Sequence, residues 1–150
     1  MLNPLKNNLV IELHVPDLEV AKIFYSQLGF IISLEDLIDD KHLGYLTMTR
    51  KDELGQTMLN FYGGDDRVYQ QSFFKQFPQD TKKGYALSIT ISVNNIEELY
   101  QSVRANLPEN LVRELTELED HGHKWKDFRM VDPFGFYLRF TELLDWGQEE

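Results

Sequence analysis

The chain contains no cysteine. A disulfide framework, a thiolate metal site and a thiol nucleophile are therefore excluded. Basic residues are scarce: 15 Lys and Arg stand against 25 Asp and Glu, for a net charge of −10. Non-specific nucleic-acid binding is excluded with them, because phosphate contacts need Lys and Arg. Long hydrophobic runs are missing too, and no stretch approaches the roughly 20 apolar residues of a membrane span. The N-terminus, Met1-Leu2-Asn3-Pro4-Leu5-Lys6, lacks the apolar segment and small-residue cleavage site of a secretory leader. The expectation is a soluble cytoplasmic protein with no nucleic-acid or membrane partner. Its acidity suits solubility, a cationic ligand or partner, or a divalent metal.

The chain does have enough apolar content for a packed core, 42% hydrophobic and 13% aromatic over 150 residues. Leu9 to Val15 alternates: Leu9, Ile11, Leu13 and Val15 point one way, and Val10, Glu12 and His14 the other. This predicts a strand with one apolar face. Asp17 then fits as the N-cap of a helix from Leu18 to about Leu28, with Gly29 as its stop. Leu18, Ala21, Phe24, Tyr25 and Leu28 form its core-facing stripe. Strands are expected over Phe30–Leu34, Leu43–Thr49 and Gln56–Tyr62, with a charged turn at Asp36–Lys41 and a polar turn at Arg50–Gly55. Residues 63 to about 84 form a connection, in which Phe73, Phe74 and Phe77 suggest a short packed helix.

The pattern then recurs. Ala86–Val93 reads as a strand, Asn94 or Asn95 as a cap, and Ile96 to about Asn106 as a helix. Leu111–Leu115, Lys126–Val131 and Phe136–Thr141 read as strands, with an acidic, His-containing turn at Glu117–Lys124. The tail from Leu143 is acidic, and Leu143, Leu144 and Trp146 could dock it. Ile11, Leu13, Val15, Leu18 and Glu19 match Ile89, Ile91, Val93, Ile96 and Glu97 at a constant offset of 78. A repeat at that spacing implies two copies of one unit. The fold class expected is α+β: tandem βαβββ modules whose curved mixed sheets surround a cleft. The whole chain, 1–150, would be one domain: module 1 at about 7–64, a connection at about 65–84, module 2 at about 85–143, and a tail at 144–150.

Two segments carry a family resemblance. One is Val15-Pro16-Asp17-Leu18-Glu19-x-Ala21-x-x-Phe24-Tyr25-x-x-Leu28-Gly29-Phe30. The other is Val131-Asp132-Pro133-Phe134-Gly135-Phe136-Tyr137-Leu138-Arg139-Phe140. With the repeat, they resemble the vicinal oxygen chelate superfamily of glyoxalase I, fosfomycin-resistance transferases, extradiol dioxygenases and bleomycin-resistance proteins. The resemblance implies that its enzymes hold a divalent metal through His, Glu or Gln on the first and last strands of each half. The matching positions here are Val10, Asn60, Ser88 and Arg139. Val offers no lone pair, and Arg is a permanent cation that only donates. That set predicts no standard metal site, no metal-dependent catalytic residue and no cofactor.

The closest character is then that of bleomycin-resistance proteins, which implies a homodimer that sequesters a bulky, cationic small molecule without chemistry. The candidate ligand-binding residues are Glu12, His14, Tyr45, Asn60, Ser88, Trp125, Tyr137 and Arg139. Glu12 and His14 share the face of Val10. They either shift a metal or ligand site along the strand, or bond to Thr90, Ser92 or water. Arg139 needs a partner, either a protein carboxylate, with Glu12 first, or an anionic ligand group. Trp125, beside Lys126-Asp127-Phe128-Arg129, resembles an aromatic that precedes the same hairpin in bleomycin-resistance proteins, and either stacks on a ligand or packs the core. Tyr45, Met48, Met58 and Tyr137 either line a cleft or pack the core. His121-Gly122-His123 beside Glu117, Glu119 and Asp120 is either an incidental metal catch or a solvated loop. Two alternatives stand beside sequestration. One is a glyoxalase-like lyase or isomerase with a metal displaced to Glu12 and His14; the other is an interaction protein with a vestigial cleft.

Overall fold

In a computed structural model the described residues are 7–38, 43–84, 86–122 and 124–143. The chain divides into two compact units. The first comprises 1–51 and 55–81, the second 52–54 and 82–150.

The first unit runs β1 (Ile11–Val15), α1 (Leu18–Ser26), β2 (Ile31–Leu37), β3 (Gly44–Asp52) and β4 (Gly55–Gly63). Its sheet has the order β1-β4-β3-β2, with β1 parallel to β4 and β2 antiparallel to β3. The Asp17 side chain accepts the Val20 amide at 3.0 Å, satisfying one of the amides that a helix start leaves open. Gly29, at φ +92°, ends the helix in the left-handed conformation that favours glycine. Leu18, Ala21, Phe24 and Tyr25 are buried, as the stripe requires. Tyr25 meets Phe61 of β4 at 4.9 Å between ring centres. Burying each large apolar side chain contributes about 1.5–3 kcal/mol, so this stripe fixes α1 on one face of the sheet. Gly63 lies where a Cβ would fall 2.0 Å from the Val15 carbonyl oxygen, so the close β1–β4 pairing excludes any side chain there.

The second unit repeats the plan with β5 (Ile89–Ser92), α2 (Ile96–Asn106), β6 (Glu114–Leu115), β7 (Glu119–Asp120), β8 (Trp125–Val131) and β9 (Tyr137–Leu143). Its sheet order is β5-β9-β8-β6, and β7 also pairs with β8. β5 is parallel to β9, as β1 is to β4. Asn95 occupies the N-cap of α2 at φ +59°, and its side-chain amide donates to Glu98 rather than capping. The Asp132 carboxylate accepts the Phe134 and Phe136 amides at 2.9 and 2.8 Å, closing the β8–β9 turn. The α+β repeat expected from the offset of 78 is present: Ile11 and Ile89 open equivalent strands, and Leu18 and Ile96 equivalent helices.

Several local expectations are corrected. Leu9 lies outside β1 and is exposed, because the parallel pairing with β4 begins at Ile11. Asp36 and Leu37 continue β2 instead of turning, because they pair with Tyr45 and Gly44; residues 39–42 lie outside the described ones. The polar turn after Arg50 shrinks to Glu53 and Leu54, because β3 runs to Asp52 and β4 starts at Gly55. Residues 86–88 precede β5, and Ala86 has φ +59°. Glu109–Leu111 is a short 3-10 turn, leaving β6 two residues long. The Glu117–Lys124 segment carries β7, held by pairing to β8. The short helix expected at Phe73, Phe74 and Phe77 is a single 3-10 turn, Phe74–Gln76, with all three rings partly exposed and Phe74 against His14 at 4.6 Å between centres. The docking expected of Leu144 and Trp146 falls outside the described residues.

Candidate functional site

Strand alternation determines what each sheet offers on the face away from its helix. In the first unit Leu13, Val15, Leu46, Met48, Leu59 and Phe61 turn to the core. Met48 is therefore a packing residue and lines no cleft. Glu12, His14, Tyr45, Thr47, Asn60 and Tyr62 take the opposite face. The parallel register sets Glu12 beside Asn60 and His14 beside Tyr62.

These side chains form one polar chain. The Thr47 hydroxyl donates to Asn60 Oδ1 at 2.9 Å, and Asn60 Nδ2 donates to Glu12 Oε1 at 2.6 Å. Glu12 Oε2 lies 2.9 Å from His14 Nε2. In the neutral ring tautomer that carries its proton on Nε2, the imidazole donates this bond and Nδ1 is an acceptor. That Nδ1 is buried and has no hydrogen-bond partner among the described residues. Aromatic rings surround the imidazole: Tyr62 at 5.0 Å and Phe74 at 4.6 Å between centroids, with Tyr45 a further 5.0 Å from Tyr62. Glu12 thus bonds both to His14 and to Asn60, partners within its own unit, where the sequence suggested Thr90, Ser92 or water. Thr90 lies 3.3 Å from Ser88, oxygen to oxygen.

The second unit repeats the arrangement with different chemistry. Ile89, Ile91, Phe128, Met130, Leu138 and Phe140 are buried toward α2, where Tyr100 meets Phe128 at 5.2 Å. Trp125, Asp127, Arg129 and Arg139 occupy the other face. Arg139 Nε donates to Asp127 Oδ2 at 2.8 Å, and Arg129 stands 3.9 Å from the same oxygen. The carboxylate facing Arg139 is therefore Asp127, not Glu12. The reason is register: Asp127 pairs with Thr141 on β9, two residues along the same face from Arg139. Asp127 Oδ1 lies 3.2 Å from His121 Nε2, and the His121 ring lies 4.8 Å from that of Trp125 at 32°. Trp125 is half-buried and beside an imidazole, rather than sealed in the core. Tyr137 opens β9 opposite Val131. His123 lies outside the described residues.

Within the first unit the structure brings Glu12, His14 and Asn60 together and adds Tyr45 through Tyr62. Within the second it gathers Trp125 and Arg139 about Asp127, and leaves Ser88 with Thr90. Tyr62, Phe74, Asp127 and Glu119 were not among the candidate ligand-binding residues. Tyr62 was legible by period two from Asn60. Asp127 was legible as an acid on the face opposite Phe128 and Met130. Phe74 had no such signal, because it lies outside any strand or repeat.

The standard metal positions of the resembling enzymes do not fit a divalent ion here. Val10 has no donor atom. Asn60 already uses its oxygen on Thr47 and its nitrogen on Glu12, and Arg139 is a cation bound to Asp127.

Two units of one strand-helix-strands plan, each with a polar and aromatic sheet face turned from its helix, define a tandem α+β protein of the glyoxalase type. The glyoxalase/bleomycin resistance protein/dioxygenase superfamily matches residues 9–140, and the chain belongs to that family. No curated protein matches it. Among solved structures it is similar to a bleomycin resistance determinant encoded on the transposon Tn5, at 19% identity and TM-score 0.62, over 93% of this chain and 100% of that one. It is similar to a bleomycin-binding protein complexed with bleomycin, at 18% identity and TM-score 0.60, over 91% and 98%. It is also similar to a glyoxalase-related enzyme from Clostridium phytofermentans, at 11% identity and TM-score 0.61, over 94% and 98%. At these identities the likeness is one of fold. Among the described residues no helix is long and apolar enough to cross a membrane.

Proposed function

We propose that the chain is a small-molecule binding protein of the bleomycin-resistance kind, which sequesters a bulky cationic compound without chemistry. The observation that carries this reading is the first unit's exposed sheet face. There the Glu12 carboxylate bonds to His14, whose ring packs against Tyr62 and Phe74, with Tyr45 against Tyr62. An aromatic face attracts a cation through its quadrupole, and a nearby carboxylate adds direct attraction. On the second unit's own sheet face, Trp125, Tyr137, Arg139 and Ser88 form a separate set of candidate ligand contacts. The family match and the bleomycin-binding neighbour support the ligand class. The protein acts in the cytoplasm as a homodimer, and 1–150 functions as one domain of two modules.

Titration of purified protein with bleomycin-type glycopeptides and other planar cations tests this. Heat release and a thermal shift with at least one compound are expected. Glu12→Gln removes one partly exposed charge, worth about 0.5–1 kcal/mol, and should weaken that affinity about 2- to 5-fold. Silence across the panel overturns the reading.

A further inference from the structure

The sequestration reading leaves unused a side-chain cluster at the β7–β8 ladder. The antiparallel register sets Glu119 directly opposite Asp127. His121, two residues beyond Glu119, returns to the same face because its amide donates to the Trp125 carbonyl at 2.9 Å. Gly122, at φ +74°, makes the following turn. The result is convergent: His121 Nε2 lies 3.4 Å from Glu119 Oε2 and 3.2 Å from Asp127 Oδ1. One ligand atom from each residue lies within 4.8 Å of the others.

Two carboxylates directly across a ladder repel unless a positive charge lies between them. Arg139 does not supply it to both, because its Nε is bound to Asp127 Oδ2, on the side away from His121. Asp127 Oδ1 is left facing the imidazole. Asp127 is also almost wholly buried, so its carboxylate is held in place rather than swinging in solvent. A four-coordinate Zn2+ with bonds of about 2.0–2.2 Å sets its ligand atoms roughly 3.3–3.5 Å apart. The His121–Glu119 separation of 3.4 Å falls at that edge length, and the His121–Asp127 separation of 3.2 Å is just short of it. A ligating carboxylate commonly has its second oxygen hydrogen-bonded, which is the place Arg139 takes.

We propose that Glu119 Oε2, His121 Nε2 and Asp127 Oδ1 form a three-donor site for a borderline divalent cation of the Zn2+, Co2+ or Ni2+ class, with a fourth position open to water. One imidazole among two carboxylates disfavours Mg2+ and Ca2+, which take all-oxygen shells. The site is separate from the positions at which the superfamily's enzymes hold metal, and it stands whether or not the first unit binds a cation.

The test uses the full chain without a histidine tag, freed of metal by chelator and titrated with Zn2+ and with Co2+. One tight equivalent is expected, with the intense visible bands of four-coordinate Co2+. His121→Ala and Glu119→Gln change exposed side chains and should keep the metal-free melting temperature. Each should weaken binding at least tenfold and remove the Co2+ bands, whereas His14→Ala should leave both intact. The proposal is overturned if the wild-type chain binds neither ion, or if either cluster variant binds as tightly as wild type. In the first case the trio is held by hydrogen bonds alone; in the second the ion sits elsewhere.

Discussion

Single side chains carry identifiable parts of the stability. Asp17 supplies the one side-chain cap of α1, through its bond to the Val20 amide. Asp17→Ala should cost about 1 kcal/mol, with the slope of a urea transition unchanged and its midpoint lowered. Tyr100 donates its hydroxyl to Glu117 at 3.0 Å. Burial and the Glu117 carboxylate together raise its pKa above the ordinary value of 10.0, outweighing the opposing pull of Arg104. The folded state therefore favours the protonated phenol. That contribution is fully present below the unfolded pKa and is lost as pH rises through the higher folded one. Tyr100→Phe should be less stable than wild type by about 1 kcal/mol at neutral pH. The gap should close above roughly pH 10, as followed by thermal melts across an alkaline series.

Secondary-structure elements differ in how far they are covered. α1 is tied down twice, by its apolar stripe and by Lys22, which bonds to Glu19 on its own turn and to Glu35 on β2. Burial disfavours the Lys22 charge, yet these two carboxylates outweigh it and raise the pKa. β2 itself is different. It is an edge strand whose residues are all exposed, including Ile31 at 69% and Leu34 at 57%. An apolar exposed edge is an aggregation hazard unless another chain covers it. This is the surface on which the proposed dimer can form. Ile31→Lys with Leu34→Lys should convert a dimer to a folded monomer in sedimentation equilibrium, with far-UV dichroism retained. A wild-type chain that sediments as a monomer at tens of micromolar would refute the dimer.

For the molecule as a whole the dominant physical quantity is its net charge of −10. A field of that sign concentrates cations near the surface and speeds their encounter, and salt screens it over a Debye length of about 10 Å at 0.1 M. The association rate of a cationic ligand should therefore fall several-fold between about 0.05 and 0.5 M salt, while the dissociation rate changes little. Stopped-flow measurement at the two ionic strengths checks this. A salt-independent association rate would assign the acidity to solubility alone.

The repeat, both helices and the residues of each buried face were legible in the sequence, because periodicity and caps are local properties. Asp17, Gly29 and the Leu18-Ala21-Phe24-Tyr25 stripe state a helix without reference to anything distant. Strand pairing was not legible, and the corrections to the strand bounds trace to it. β2 lengthened because Asp36 and Leu37 found partners on β3, and β7 formed because Glu119 and Asp120 found partners on β8. The candidate site divides the same way. The family resemblance matched Val10, Asn60, Ser88 and Arg139 to the metal-ligand positions of its enzymes, and residue chemistry argued against an ion there. Only tertiary structure decided that Arg139 pairs with Asp127 rather than Glu12, that Glu12 closes a chain through Asn60 and His14, and that His121 turns back onto Asp127. Those outcomes depend on which strands pair and in what register, which two distant segments settle together and neither settles alone.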